Sequence, residues 1–312
     1  MKHLFAKLFV LAAVLLGAAM LIGCGRKQIL PGDSSVFPAA GQSAVWGQPD
    51  QPELKIILFE AGKADAILLQ VGDRDYLVDT GLYENGNDLV EKLRALGVER
   101  IHGIFLTHPH RDHIGGMAAV LDRMPVDKVY CTDVRNDGSR LWKKVRKLLA
   151  AKEIPVETLT APADVALNAG AVCKVLWPEA ELLHVEGDAD INPNSLVMLF
   201  SYKGFRMMFT GDAYKETEKA ILERYPVSTL HANVLKAGHH SNKSSNGEEW
   251  IRAVSPEAVV ISCGNKPGDS RYPNKGLLKR LRALGIRAFN TWEQGSITIT
   301  SDGKHYYITA ER

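Results

Sequence analysis

Short runs rich in Ile, Leu and Val, bounded by Gly and Asp, recur through most of the chain. At 54–59, 66–71, 75–78 and 101–106 they predict strands, and further strands are expected near 128–131, 172–177, 195–202, 206–210, 233–236, 258–262, 288–290 and 296–300. The runs at 195–202 and 206–210 read as a hairpin turning at Lys203-Gly204. Helical spacing occupies 88–96, which Gly97 ends, and 139–152, 214–224, 247–254 and 275–284. Several strands in each half with few long helices predict a layered α/β sandwich, not a strictly alternating parallel sheet.

The first residues break this pattern. Leu8 to Ile22 is an unbroken apolar or small run of 15 residues, preceded by Lys2 and Lys7. It has the length of a signal-peptide core and is short for a membrane span, which needs about 20 apolar residues. Leu21-Ile22-Gly23-Cys24 resembles the bacterial lipobox, in which the peptide is cut before a cysteine that is then lipidated. Residues 1–23 are therefore expected to be a lipoprotein signal peptide, with Cys24 anchored in an extracytoplasmic membrane surface. From Cys24 to Pro52 the composition shifts to Gly, Pro, Ser, Gln and Ala, the signature of a flexible tether. Residues 53–312 form the expected domain.

Composition excludes other classes. With 312 residues, 46% hydrophobic and 24% charged, the chain is neither disordered nor a multi-span membrane protein. Lys2 and Lys7 account for the formal charge of +2, so residues 24–312 are neutral overall and any basic surface must be local. The cysteines at 24, 131, 173 and 263 show no C-x-x-C spacing, so neither a disulfide scaffold nor a cysteine zinc site is indicated.

Chemistry concentrates in Thr107-His108-Pro109-His110-Arg111-Asp112-His113-Ile114-Gly115-Gly116, directly after an apolar strand. Ligands at i and i+2 on extended backbone project to one side, so His108 and His110 can grip one ion. Asp112 and His113 fall where a helix should begin, turned toward a second ion. Core packing explains such a cluster poorly.

The run matches H-x-H-x-D-H of the metallo-β-lactamase superfamily, and other signatures follow in order. Tyr76-Leu77-Val78-Asp79-Thr80-Gly81 resembles the early D-T-G turn, Thr210-Gly211-Asp212-Ala213 the bridging-carboxylate segment, and Leu235-Lys236-Ala237-Gly238-His239-His240-Ser241 the G-H-H-G-S segment of one branch. Phe59-Glu60-Ala61-Gly62-Lys63-Ala64-Asp65-Ala66-Ile67-Leu68 and Asn192-Pro193-Asn194-Ser195-Leu196-Val197 make the chain similar to the ComEC-like secreted branch. The resemblance implies a four-layer αββα sandwich holding two divalent ions, zinc or manganese. Their ligands would be His108, His110, Asp112, His113, Asp212 and one or both of His239 and His240, with His239 the first after the strand. Asp79 would brace the histidine loop from behind. Asp112, Asp212 and Asn194 are the candidate catalytic residues, and Lys236, Ser241, Lys243 and Asn194 the candidate contacts to a phosphate or oxyanion.

The chain also departs from the family pattern. Many members carry another metal-binding histidine where Asn194 stands, and His184, in an acidic loop, reads as a solvated residue and not its substitute. Arg271-Tyr272-Pro273-Asn274 lacks the histidine often found there, which removes a late general acid.

Arg140, Lys143, Lys144, Arg146 and Lys147 make one basic amphipathic helix, and Lys275, Lys279, Arg280 and Arg282 a second basic cluster. Together with the resemblance they suggest a phosphodiester substrate, with DNA as the candidate polymer. Three functions fit: a surface-anchored metal-dependent phosphodiesterase or nuclease; an esterase on cell-wall or lipid phosphoesters, similar to phosphorylcholine esterases; and a non-catalytic lipoprotein that binds DNA or another polymer. Nothing implies a protein partner.

Overall fold

Burial with a period of two along the strands sets the architecture. The computed structural model describes residues 53–186, 189–264 and 271–312 and the backbone of Ala44–Trp46. The expected signal peptide, Cys24 and most of the tether lie outside the described residues. Within the tether segment, Ala44–Trp46 is a strand, β1.

The N-terminal half runs through β2 (Leu54–Leu58), β3 (Ala66–Val71), β4 (Arg74–Thr80), α1 (Gly86–Ala95), β5 (Gly103–Phe105), α2 (Arg111–Ile114), α3 (Met117–Arg123), β6 (Val129–Cys131), α4 (Arg140–Ala151) and β7 (Val156–Thr158). The second half contributes β8 (Ala163–Ala166), β9 (Val172–Trp177), β10 (Val197–Tyr202), β11 (Phe205–Phe209), α5 (Lys215–Arg224), α6 (Val227–Leu230), β12 (Val234–Lys236), α7 (Glu248–Val254), β13 (Ala258–Ile261), α8 (Lys275–Ala283), β14 (Arg287–Asn290) and α9 (Thr291–Gln294). The chain then returns to the first half as the hairpin β15 (Ile297–Ser301) and β16 (Tyr306–Ala310). One sheet has the order β1-β16-β15-β2-β3-β4-β5-β6-β7, the other β14-β13-β12-β11-β10-β9-β8.

Alternate residues of the inner strands enter different cores. In β2, Leu54, Ile56 and Leu58 face the space between the sheets, while Ile57 faces the outside. In β11, Phe205, Met207 and Phe209 face the same central space, and Met208 the opposite side. The outer face of the first sheet is covered by Leu89 and Leu93 of α1, Val120 of α3 and Val145 and Leu149 of α4. The second is covered by Ile221 of α5, Trp250 of α7 and Leu277 and Leu281 of α8. The result is the αββα sandwich expected from the sequence. Full burial of each such aliphatic or aromatic side chain contributes roughly 1.5–3 kcal/mol.

Helix ends follow their capping residues. Ser139 caps α4 by accepting from Trp142 N at 3.1 Å, and α1 stops where Gly97 takes φ +80°. The elements missing from the sequence expectation are short or at an edge: β7 exposes all three residues, β8 buries only Val165, and α3 follows a Gly-Gly pair.

In both sheets the strands that feed the chemistry are parallel: β4 with β5, and β11 with β12. Their carboxyl ends meet at one edge of the sandwich, where parallel sheets place their ligands. Gly116 brings α3 onto the end of β4 so closely that a Cβ there would lie 2.3 Å from Thr80 O. Gly116→Ala is expected to cost about 1–3 kcal/mol by overpacking, read as a lower urea midpoint at constant slope. An unchanged midpoint would show that β4 yields to the extra methyl.

Candidate metal centre

The first sheet supplies the histidine loop. After β5 the chain bends at Pro109, is extended at His110 (φ −87°, ψ 155°) and then turns into α2, so the loop's side chains gather at the strand end. Asp79, at φ +58° at the end of β4, turns its carboxylate under that loop. It accepts from Thr107 N at 2.8 Å and Thr107 Oγ1 at 2.6 Å, and its Oδ2 lies 2.7 Å from His113 Nδ1. His113 Nδ1 is thereby fixed against Asp79, so its Nε2 faces the centre.

The second sheet supplies the rest. Gly211, at φ +48°, lets β11 pass so near the histidine loop that a Cβ there would lie 2.9 Å from Thr107 Cβ. Asp212 follows it, its N–H donating to Ser195 Oγ at 3.1 Å. After β12 the chain holds His239, His240 and Ser241 in the left-handed region, at φ 47°, 51° and 73°. Asn246 clamps this turn, accepting from Gly238 N at 2.8 Å and donating to Gly238 O at 2.9 Å. His240 Nδ1 sits 3.0 Å from Ser262 O, so its Nε2 also faces the centre.

Asp212 stands between two groups of imidazoles. Its Oδ1 lies 3.3 Å from His113 Nε2 and 3.5 Å from His240 Nε2. Its Oδ2 lies 3.8 Å from His108 Nε2 and 3.6 Å from His239 Nε2. His110 Nδ1 adjoins the second group, 3.0 Å from His108 Nε2, and Asp112 Oδ2 adjoins the first, 3.6 Å from His240 Nε2. Donor atoms of Asp112, His113, Asp212 and His240 all lie within 4.8 Å of one another. His113 Nε2, His240 Nε2 and Asp212 Oδ1 are buried without a hydrogen-bond partner. Three convergent donor atoms left unsatisfied in a folded interior are costly, and a cation between them satisfies all three. The cluster fits a metal.

Its electrostatics agree. Burial opposes charge on Asp212, yet the imidazoles of His240, His113 and His239 hold its carboxyl well below the usual range. Asp112 behaves alike, with burial outweighed by His240 and His113. Burial and the neighbouring His113 push His108 well below the ordinary imidazole value. Ionised carboxylates and neutral imidazoles are the forms that ligate metals. His113 differs: Asp212 and Asp79 overcome its burial and raise it well above the ordinary value.

The histidines, Asp79, Asp112 and Asp212 singled out in the sequence are thus brought together, and both His239 and His240 face the centre, on opposite sides of Asp212. Three other expectations do not hold. Lys236 is 1% exposed and bound to Asp65 Oδ2 at 2.7 Å and Ala237 O at 2.9 Å, so it does not reach a substrate. Ser241 is buried, its Oγ accepting from Asn274 N at 2.9 Å. Asn194, fully buried, spends its amide on Leu183 N, Leu183 O and Asp190 O, and is a brace for that loop instead of a catalytic group. Lys243 is exposed on the loop surface, and His184 is exposed and paired with Asp190 at 2.7 Å. The residues missed are Asp65, inside a quoted motif but given no role, and Lys63, whose Nζ lies 3.1 Å from Asp112 Oδ2.

Comparison with known proteins agrees with this geometry. The sequence profile of the metallo-beta-lactamase superfamily matches residues 60–265. ComE operon protein 3 of Bacillus subtilis is 29% identical over 214 residues, covering 67% of this chain and 26% of that protein. Competence protein ComA of Neisseria gonorrhoeae is 26% identical over 247 residues, covering 78% of this chain and 32% of that protein. The chain thus spans about a quarter to a third of the length of these relatives. Among solved structures, CmlA, a diiron beta-hydroxylase from Streptomyces venezuelae, superposes with a TM-score of 0.54 at 14% identity, over 81% of this chain and 55% of that one. That likeness is one of fold.

Asp79→Asn should preserve the fold but release His113 from its fixed tautomer. Zinc affinity, measured by chelator competition, is expected to fall about 10–100-fold; an unchanged affinity would remove Asp79 from the support of the centre.

Proposed function

The chain belongs to the metallo-beta-lactamase superfamily, and from that premise we propose that it is a metal-dependent phosphodiesterase or nuclease, anchored outside the bacterial cytoplasm by lipid on Cys24. The observation that carries the hydrolase reading is the division of Asp212 between two sets of ligand atoms. His108, His110 and His239 with Asp212 Oδ2 would hold one ion; Asp112, His113 and His240 with Asp212 Oδ1 would hold the other. Two divalent ions, zinc or manganese, supply activation of water and neutralisation of phosphoryl charge.

The chain's own residues do the positioning. Asp79 and Ser262 O turn His113 and His240 so that both present Nε2. Ser241, next in sequence to the histidine pair, is buried with its Oγ engaged by Asn274 N, and Ser244 Oγ is held 3.2 Å from His239 Nδ1, so neither stands free as a nucleophile and water is the attacking group in this reading. His239 occupies the side of Asp212 nearest His108, which offsets the lack of a histidine at Asn194.

Surface charge favours a phosphodiester. Arg140, Lys143, Lys144, Arg146 and Lys147 are exposed along α4. Lys144 Nζ stands 6.0 Å from the exposed Tyr83 ring, and the Tyr83 backbone packs against Gly115, next to the helix bearing Asp112 and His113. A polyanion lying on this basic face would lead toward the centre. Among the described residues no helix is long and apolar enough to cross a membrane; the anchor in this reading is Cys24 of the Leu21-Ile22-Gly23-Cys24 run.

Metal-loaded protein is expected to cleave bis-p-nitrophenyl phosphate in an EDTA-sensitive reaction, and His108→Ala and Asp212→Ala to lower kcat at least about a hundredfold. Variants as fast as wild type would overturn the hydrolase reading. DNA against phosphocholine esters separates a nuclease from a wall or lipid esterase, and DNA binding without turnover of either would leave a binding lipoprotein. Cys24→Ala should move the protein from the membrane fraction to the soluble one; retention in the membrane would refute the lipid anchor.

A further inference from the structure

Two lysines are paired with the carboxylates of the centre among the described residues, and they differ in what they can reach. Lys236 is sealed against Asp65, with side chains 1% and 2% exposed. Lys63 pairs with Asp112 Oδ2 at 3.1 Å, with side chains 35% and 17% exposed. That same oxygen lies 3.6 Å from His240 Nε2, so the Lys63 ammonium stands one carboxylate away from the ligand atoms, on the solvent side.

Its place is fixed from below and from the side. Asp65 N donates to Asp112 O at 3.1 Å, tying the turn between β2 and β3 to the histidine loop. The backbone of Gly264 packs on that turn so closely that a Cβ there would lie 2.7 Å from Gly62 Cα and 2.9 Å from Lys63 N. The Tyr272 ring lies beside the ammonium, 5.8 Å from Nζ to centroid, and its hydroxyl accepts from Asn242 Nδ2 at 3.0 Å, next to the turn that carries His239 and His240. The loop is anchored while the end of the lysine chain retains freedom to change partner.

We infer that Lys63, steadied by the Tyr272 ring, is an anion-recognition site at the mouth of the centre that takes a non-bridging oxygen of a phosphate ester. This rests on the hydrolase reading above and deepens it. Asp112 Oδ2 faces both Lys63 and His240, and an oxygen committed to a divalent ion has less charge left for an ammonium. A compact cation next to the ligand atoms then meets whatever anion approaches them. Such a site selects esters by charge: a phosphodiester gains the contact and a neutral carboxylic ester does not. The sealed pair between Lys236 and Asp65 cannot take this part.

The test compares wild type, Lys63→Met and Lys63→Arg, all zinc-loaded, on bis-p-nitrophenyl phosphate and on neutral p-nitrophenyl acetate, with zinc content and calorimetric titration by inorganic phosphate. Lys63→Met is expected to lower kcat/KM for the diester and affinity for phosphate about 10–100-fold, the range of a charge-assisted hydrogen bond. Acetate hydrolysis and zinc content should stay within about twofold, and Lys63→Arg should recover much of the loss. Equal losses on both esters, or lost zinc, would overturn the inference by showing that Lys63 acts through Asp112 alone; so would an unchanged diester rate and phosphate affinity. Wild-type protein that turns over neither ester overturns the hydrolase reading instead, and the phosphate titration then decides the anion site by itself.

Discussion

The buried carboxylate of Asp79 joins the end of β4 to both the backbone and the side chain of Thr107 and to His113 Nδ1. Through these bonds the position of a strand becomes the orientation of an imidazole. Ser262 O does the same for His240 from the opposite sheet. Neither imidazole can rotate to satisfy itself elsewhere, which is why their Nε2 atoms stay unpartnered beside Asp212 Oδ1. Orientation from behind, more than the ligand residues themselves, makes the cluster a site.

Such an arrangement is strained, and the strain is local. Asp79, His239, His240 and Ser241 all occupy the left-handed region, where non-glycine residues cost of order 1–3 kcal/mol each. Around the histidine turn the compensation is dense. Asn246 bonds both backbone groups of Gly238, Ser245 Oγ donates to Ala213 O at 2.6 Å, and Asn242 N reaches His239 O at 2.7 Å. Glu218 accepts from the backbone N–H groups of Asn246 and Gly247, and burial pushes its carboxyl up to about 7 despite those bonds. Three packed cores supply the stability against which this is set, and these four positions lie at the edge where the two sheets meet.

Much of this was legible in the sequence, for identifiable reasons. β3 coincides with the apolar run at 66–71 because a strand buried on both faces carries a nearly continuous hydrophobic signal, and β9 coincides with 172–177 although Lys174 is exposed. The histidine loop was legible because His108, His110, Asp112 and His113 are close in sequence. What could not be read was which polar residues the folded chain would consume internally. Asn194 and Ser241 have the chemistry of substrate contacts, but backbone groups of distant loops claim them first. Asp65 went unassigned because its partners, His113 and the pair Lys236 and His240, come from two distant segments. β16 had a readable alternation, Tyr306 and Ile308 inward with Tyr307 and Thr309 outward, but it is too short a signal without its partner β15.

Lys236 shows how the same alternation could have sorted the lysines. In β12, Val234 enters the central core and Leu235 the outer one, so period two sends Lys236 back between the sheets, where no solvent waits. A cation placed there requires an anion, and Asp65 meets it while lying 3.6 Å from His240 Nδ1 and 3.9 Å from His113 Nδ1. The inner carboxylate is thereby neutralised by a partner it cannot exchange. Lys63 lies on a turn instead of a strand, so no alternation draws its chain inward, and its carboxylate partner is itself a ligand candidate. Two lysines of identical chemistry are thus divided by backbone geometry alone into a fixed charge behind the imidazoles and an exchangeable one in front of them.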